Sequence, residues 1–221
     1  MIHKGIFKYE LKNRFLCLVN INGVDTICYI PSSSKLGNYL DLRNKEVLLK
    51  PTKSEKTHLA VYAIRYKQNY ITLDMNTPNQ VIETEIKRRY FSFLGKRIRV
   101  QKERRICGYK CDLFINDTNT IIEIKSILSN EKHALFPTVH SDRANQQLTK
   151  ISELLDKGYN VCYCFVSLNP YVNSIALNKD ECDYYALFNK CTKKGMMVKG
   201  FSIKLVNESP TIRKEIPVII R

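Results

Sequence analysis

Asp112 and the run Glu123-Ile124-Lys125 offer two carboxylates and a lysine, with ten residues between Asp112 and Glu123. Cys111 to Ile115 (CDLFI) and Ile121 to Lys125 (IIEIK) are short β-branched and aromatic runs, and the stretch from Asn116 to Thr120 between them is rich in turn formers. A hairpin with Asp117 and Thr118 at its tip pairs Asp112 with Glu123. Side chains alternate along a strand, so Asp112, Glu123 and Lys125 then share one face, with cross-strand Cβ atoms roughly 4.5–5.5 Å apart. Two carboxylates that close repel and raise one pKa unless a cation lies between them. A hard divalent ion, Mg2+ or Mn2+, suits oxygen donors of this kind. Lys125 beside it is placed to hold a phosphate or an attacking water, which is the chemistry of a phosphodiesterase. The same residues also fit a solvated hairpin in which Lys125 neutralises its neighbours, because acid-x-lysine spacings are common. Ile122 and Ile124 imply that the other face of this strand is buried, and that favours the site.

The elements that must carry these residues can be read on either side. From residue 1 to about 75 the pattern is of strands: Ile6 to Glu10, Phe15 to Ile21, an Asn22-Gly23 hairpin signal, Val24 to Ile30, Val47 to Lys50, Leu59 to Tyr66 and Tyr70 to Met75. So many short strands in that length predict a small barrel. The tyrosines between Val61 and Tyr70 could stack bases, as in barrels that bind single strands, but half-buried packing is the favoured reading, since strands are rich in aromatics. From Asn76 onwards Pro78 opens a helix that runs towards Gly95, followed by a strand from about Arg97 to Val100 and then the hairpin. A connection from Ser126 to His140 leads to Ser141-Asp142, which starts a helix with an apolar stripe at Leu148, Ile151, Leu154 and Leu155. Val161 to Ser167 reads as a buried strand, Glu181 to Lys194 as a helix stopped by Gly195, and Met197 to Val206 as a long strand. The layout is α/β, α+β overall. The boundary near residue 76 has no flexible linker, so the two parts are expected to pack rigidly.

Several fragments in order resemble the sugar fermentation stimulation protein A family. They are Phe15-Leu16-Cys17, Ile30-Pro31-Ser32-Ser33-Ser34, Asn76-Thr77-Pro78-Asn79, Asp112 with Glu123-Ile124-Lys125, and Phe136-Pro137 with Arg143 and Leu148. The resemblance covers nearly the whole chain. It implies an OB-fold-like nucleic-acid-binding domain over 1–75 and a PD-(D/E)XK nuclease-like domain over 76–221, a mixed sheet flanked by helices. It also places Asp112, Glu123 and Lys125 at the nuclease-like triad, with Glu103 as a further acidic position that orients the site or binds a second ion. The chain departs from the family pattern where Pro31-Ser32-Ser33-Ser34 replaces Pro-Asn-Thr-Gly. Ala144 and Gln147 occupy the family's Gly and His positions, and Gln147 can bond a phosphate but cannot move a proton near neutral pH. Thr84 stands at a family glutamate, flanked by Glu83 and Glu85, so a third metal carboxylate is unassigned.

Composition agrees with a polyanionic partner. The 221 residues hold 36 Lys+Arg against 21 Asp+Glu, a formal charge of +15, and basic residues outnumber acidic ones on both sides of residue 76. Such a field makes nucleic-acid binding salt-sensitive. Lys87 to Lys110 is the densest basic stretch and leads straight into Asp112. Within it Arg97, Arg99, Arg105 and Lys110 are candidate phosphate contacts, joined by Arg143 and Gln147 further on. A solvated basic surface is the plainer alternative. The eight cysteines and four histidines show no zinc-ligand spacing. Cys17, Cys28, Cys162 and Cys164 lie in apolar runs, where a thiol acts as a small hydrophobe. No apolar run is long enough to span a bilayer and no signal-peptide core is evident, so a reducing cytoplasm is the expected location. The expected function is a DNA-binding protein, with RNA as an alternative partner, carrying a Mg2+- or Mn2+-dependent nuclease site. The alternative is a non-catalytic DNA-binding regulator of sugar metabolism genes. Oligomeric state is left open, a homodimer included.

Overall fold

Alternating apolar residues build the first sheet in the computed structural model, which describes residues 2–13, 15–31, 36, 40–54 and 56–220. Its strands are β1 (His3–Glu10), β2 (Leu16–Ile21), β3 (Val24–Tyr29), β4 (Glu46–Pro51), β5 (Leu59–Tyr66) and β6 (Asn69–Thr72). They lie in the order β3-β2-β1-β4-β5-β6, and a further pairing of Tyr29 with Ala60 joins β3 to β5. That pairing closes β1 to β5 into the expected OB-like barrel. The Asn22-Gly23 turn between β2 and β3 has positive φ at both residues, 51° and 90°, the geometry that Asn-Gly favours in a two-residue hairpin. Inward residues such as Phe7, Val19, Val47, Leu49, Val61 and Ile64 are buried. The motif residues Ser32 to Ser34 lie outside the described residues.

The second part starts with α1 (Thr77–Glu85), with Pro78 in its first turn, where its missing N–H costs nothing. The helix expected to run towards Gly95 stops at Glu85. Arg88 is extended (φ −78°, ψ 167°), and a 3-10 turn over Arg89–Leu94 follows. This break turns Phe91 and Leu94 into the core, where Phe91 lies 5.1 Å from the ring of Phe201. The strand expected at Arg97 to Val100 is β7 (Val100–Lys102) instead, because the N–H groups of Ile98 and Arg99 donate to the Asp117 carboxylate rather than to a neighbouring strand. The rest of the chain comprises β8 (Arg105–Ile106), β9 (Tyr109–Lys110), β10 (Leu113–Ile115), β11 (Thr120–Ile127), β12 (His133–Phe136), α2 (Asp142–Asp156), β13 (Asn160–Ser167), β14 (Ser174–Leu177), α3 (Cys182–Lys193), β15 (Met197–Val206), β16 (Ser209–Ile216) and β17 (Val218–Ile219).

A mixed sheet runs β16-β15-β13-β11-β10-β7. Its centre, β11-β13-β15, is parallel, and the pairings of β7, β10 and β16 are antiparallel. One face carries Leu113, Ile115, Ile122, Ile124, Cys162, Cys164 and Ile203. These share a single apolar cluster with α1 and with the barrel interior, so the two sheets meet through a common core. The bond from Thr72 N–H to Leu168 O (3.3 Å) and that from Asn69 Nδ2 to the Tyr171 hydroxyl (2.9 Å) cross the same junction. The opposite face carries Phe114, Ile121, Tyr163 and Phe165 against Leu148, Ile151 and Leu154 of α2 and Tyr184 and Phe188 of α3. Strands β12, β14 and β17, absent from the sequence reading, form a separate small sheet. Each is short, and Leu135 of β12 is exposed, so none shows a clear alternation. All eight cysteines are free thiols. Among the described residues no helix is long and apolar enough to cross a membrane.

Candidate active site

The site forms where β10 and β11 separate. Leu113 pairs with Ile122 and Phe114 with Ile121, and the ladder stops there, one step short of the expected pairing of Asp112 with Glu123. Asp112 stands just before β10, and its side chain extends the ladder: Oδ2 accepts the Ile124 N–H at 2.7 Å. Its Oδ1 accepts from Asn79 Nδ2 of α1 at 3.0 Å. Glu123 is buried on the face towards α2 and α3. Its Oε1 accepts from Lys125 Nζ at 2.7 Å, and its Oε2 from the Tyr109 hydroxyl at 2.5 Å. Lys125 Nζ also donates to Gln147 Oε1 at 2.6 Å and lies 5.9 Å from the centre of the Tyr163 ring.

These contacts set the electrostatics. Burial first, and then the charge of Glu123, push the Asp112 carboxyl up from 3.8 to about 6, while the bonds from Ile124 N–H and Asn79 and the charge of Lys125 pull the other way. The Tyr109 hydroxyl is pushed well above its ordinary range, mainly by burial and then by Glu123, so it stays a donor. A buried carboxylate whose ionisation is opposed by a second carboxylate beside it is a donor set that a hard cation would relieve. Among the described residues no three His, Cys, Asp or Glu side chains converge. An ion held here would have Asp112 and Glu123 as its anionic ligands, a set that would suit Mg2+, which keeps several waters.

The other expected site residues are distributed differently. The backbone of Glu103 reaches Asp112, donating N–H to its carbonyl at 2.9 Å, but the Glu103 carboxylate is exposed and pairs with Lys110 at 2.9 Å. Glu83 pairs with Lys102 at 2.7 Å, and Glu85 is buried against Thr211 and Arg88, so α1 reaches the site through the amide of Asn79 rather than a carboxylate. Arg97 is bound to the carbonyls of Ile86 and Gly95, and Arg99 pairs with Asp117 at 3.4 Å. Arg105 and Arg143 are exposed. Gln147 faces Lys125. Tyr109 was not singled out in the sequence. The hairpin that delivers it turns at Cys107-Gly108, both with positive φ (48° and 82°), and cysteine there gives no turn signal.

The model of the sugar fermentation stimulation protein RE domain matches residues 76–209. The chain belongs to the sugar fermentation stimulation protein family. A homolog from Natranaerobius thermophilus is 27% identical across 97% of this chain and 93% of its own. One from Caldanaerobacter subterraneus is 25% identical across 99% and 97%, and one from Saccharolobus solfataricus is 25% identical across 95% and 82%. The solved structure of Pyrococcus furiosus SfsA in complex with Ca2+ superposes with a TM-score of 0.82 at 18% identity, covering 99% of this chain and 96% of that one. At that identity the likeness is one of fold. It matches a barrel followed by a mixed sheet with helices.

Proposed function

We propose that this family member is a nuclease dependent on Mg2+ or Mn2+, which binds DNA or RNA through its basic surface and hydrolyses one phosphodiester at Asp112, Glu123 and Lys125. The observation that carries this reading is the opposition of Asp112 and Glu123. Burial and the neighbouring charge raise the Asp112 carboxyl to about 6, while Tyr109 and Lys125 fix Glu123 in place. Such an arrangement is unfavourable without a shared cation. The Pyrococcus furiosus relative is described in complex with Ca2+, a cation with the same oxygen preference, and this supports the reading.

Asp112 and Glu123 would hold the ion, which when bound lowers the pKa of water and offsets charge on the phosphate. Lys125 contributes the protein's own positive charge. Its ammonium has three donors, of which Glu123 and Gln147 take two, and the third remains for a phosphate oxygen. Tyr109 keeps Glu123 from rotating away. Water adds at phosphorus and the P–O ester bond breaks. The water's proton ends on the departing oxygen, giving a phosphate monoester and an alcohol.

The test is cleavage by pure protein of single- and double-stranded DNA and RNA with Mg2+ or Mn2+. Chelator should abolish cleavage, and Lys125→Ala should slow it by about 10²-fold or more, with affinity nearly unchanged because binding is summed over many phosphate contacts. Salt-sensitive binding without cleavage of any of the four substrates would replace this reading with that of a non-catalytic DNA-binding regulator.

A further inference from the structure

A second feature lies on the outer wall of the barrel. Lys50 of β4 pairs with Ala60 of β5, and Ala60 pairs with Tyr29 of β3, so the three form one row across adjacent strands. Their neighbours Leu49, Val61 and Cys28 are buried in the core. Alternation therefore turns Lys50, Ala60, Tyr29 and, two residues beyond Ala60, Tyr62 outward. Ala60 supplies only a methyl group between a lysine and a tyrosine. The gap is part of a cavity of about 550 Å³, which also reaches Lys53, Asp74 and Asn76.

The lining is unusual for a packing defect. Tyr62 is 2% exposed, and its buried hydroxyl has no hydrogen-bond partner, a costly state for a polar group unless a ligand completes it. Lys50 Nζ lies 3.2 Å from the centre of the Tyr62 ring, so the cation is held at the cavity wall. Lys50 and Lys53 suit a phosphate, and Tyr29, half-open and stacked with Phe15 at 6.4 Å, gives the cavity an aromatic wall that suits a base. Asp74 suits an amino or hydroxyl donor. Aromatic face, cations and acceptor together match one nucleotide better than they match a bare anion.

The cavity also adjoins the carboxylate site. Asn76 lines the cavity at the N-terminal end of α1, and Asn79, one turn further along, donates to Asp112. Ser126, next to Lys125, donates to the carbonyl of Met75 at 3.2 Å. Residues 74–79 are thus a wall common to both. A strand with a phosphate at Asp112 and Glu123 would carry its next nucleotides past this wall towards the cavity.

We propose that the cavity is a subsite for one unpaired nucleotide of the substrate strand, so that the protein takes single strands or frayed ends in preference to continuous duplex. A paired base cannot enter such a pocket without leaving its stack. The proposal rests on the nucleic-acid reading above, and its test reads binding rather than turnover. Heteronuclear NMR or calorimetry should show AMP binding to the wild-type protein more tightly than inorganic phosphate. Ala60→Leu, which fills the gap, should weaken AMP and single-stranded oligonucleotide by about tenfold or more, corresponding to about 1.4 kcal/mol, and leave duplex affinity in place. Tyr62→Phe, which removes only the unpartnered hydroxyl, should weaken AMP by several-fold and serves if Ala60→Leu melts early. Phosphate binding as tightly as AMP, or AMP binding that neither variant changes, would overturn the subsite. Loss of AMP binding in the variants alongside a wild type that cleaves nothing would uphold the subsite and remove only the nuclease reading.

Discussion

Gln147 accepts the Lys125 ammonium at 2.6 Å and so ties α2 to the strand that carries the catalytic candidates. Lys125 has a second acceptor in Glu123 at 2.7 Å, and the two together fix where its remaining N–H points. Gln147→Leu keeps the size of the side chain and removes the acceptor. Cleavage should fall by about 10- to 100-fold, the usual effect of losing a group that orients a site residue, while nucleic-acid affinity stays put. A variant as fast as wild type would show that Glu123 alone orients the lysine.

Asp112 gives a pH dependence with a definite sign. Its carboxyl sits at about 6 in the folded protein against an ordinary 3.8, so between those values the native state binds more protons than the unfolded chain. Metal-free stability therefore falls as pH rises through about 6 and stays lower above it. Burial first and then Glu123 disfavour its charge, whereas the Ile124 N–H, Asn79 and Lys125 favour it. Asp112→Asn should stabilise the metal-free protein at pH 8 by about 1–2 kcal/mol, a discounted form of 1.36 kcal/mol per unit, and flatten the pH profile. Adding Mg2+ or Mn2+ should raise the melting temperature of wild type above pH 6, lose this effect at pH 5 as the proton displaces the ion, and do nothing to the variant. Equal metal responses in the two proteins would remove Asp112 from the ligand set.

Tyr109 makes a separate prediction, because its hydroxyl donates to Glu123 at 2.5 Å inside a buried site. Tyr109→Phe leaves Glu123 Oε2 without that donor and should cost about 1–3 kcal/mol in denaturant melts. Metal affinity should drop by about tenfold or more, since ligand carboxylates depend on the groups that hold them. Lost stability with unchanged metal affinity would mark Tyr109 as a packing residue only.

The site was legible in the sequence to the extent that it obeys local rules. Period-two alternation and a turn-rich connector were enough to set the β10–β11 register and to put Glu123 and Lys125 on one face with Asp112 close by, and Asn-Gly announced the β2–β3 turn. What was not legible depends on distant partners. Asn79 reaches Asp112 only because α1 packs on the mixed sheet, and Gln147 finds Lys125 only because α2 crosses the other face. Arg97 and Arg99 look like free cations in the sequence, yet each is claimed by the backbone or by Asp117, and the bonds of Ile98 and Arg99 N–H to Asp117 displace the expected strand to β7. Tyr66 of β5 and Tyr70 of β6 took the packing role: Tyr66 lies 5.7 Å from Tyr171, and Tyr70 bonds Glu46.

The arginines separate affinity from stability. Arg105 and Arg143 are exposed, whereas Arg97 bridges the carbonyls of Ile86 and Gly95 and Arg99 joins Asp117, which also accepts two backbone N–H groups. If the basic surface meets a phosphate backbone, Arg105→Ala and Arg143→Ala should each lower affinity alike for all sequences and reduce the slope of log affinity against log salt by about one. Their melting temperatures should not move. Arg97→Ala should instead lower the melting temperature, because it leaves two carbonyls without their donor where the chain turns from the 3-10 segment towards β7, while the salt slope changes little. Anisotropy titrations between low and physiological salt, run beside thermal melts, read both quantities on the same samples. A salt slope that is flat in wild type would count against nucleic acid as the partner, and a slope that falls most in Arg97→Ala would place the phosphate track along the approach to β7 rather than beside β8 and α2.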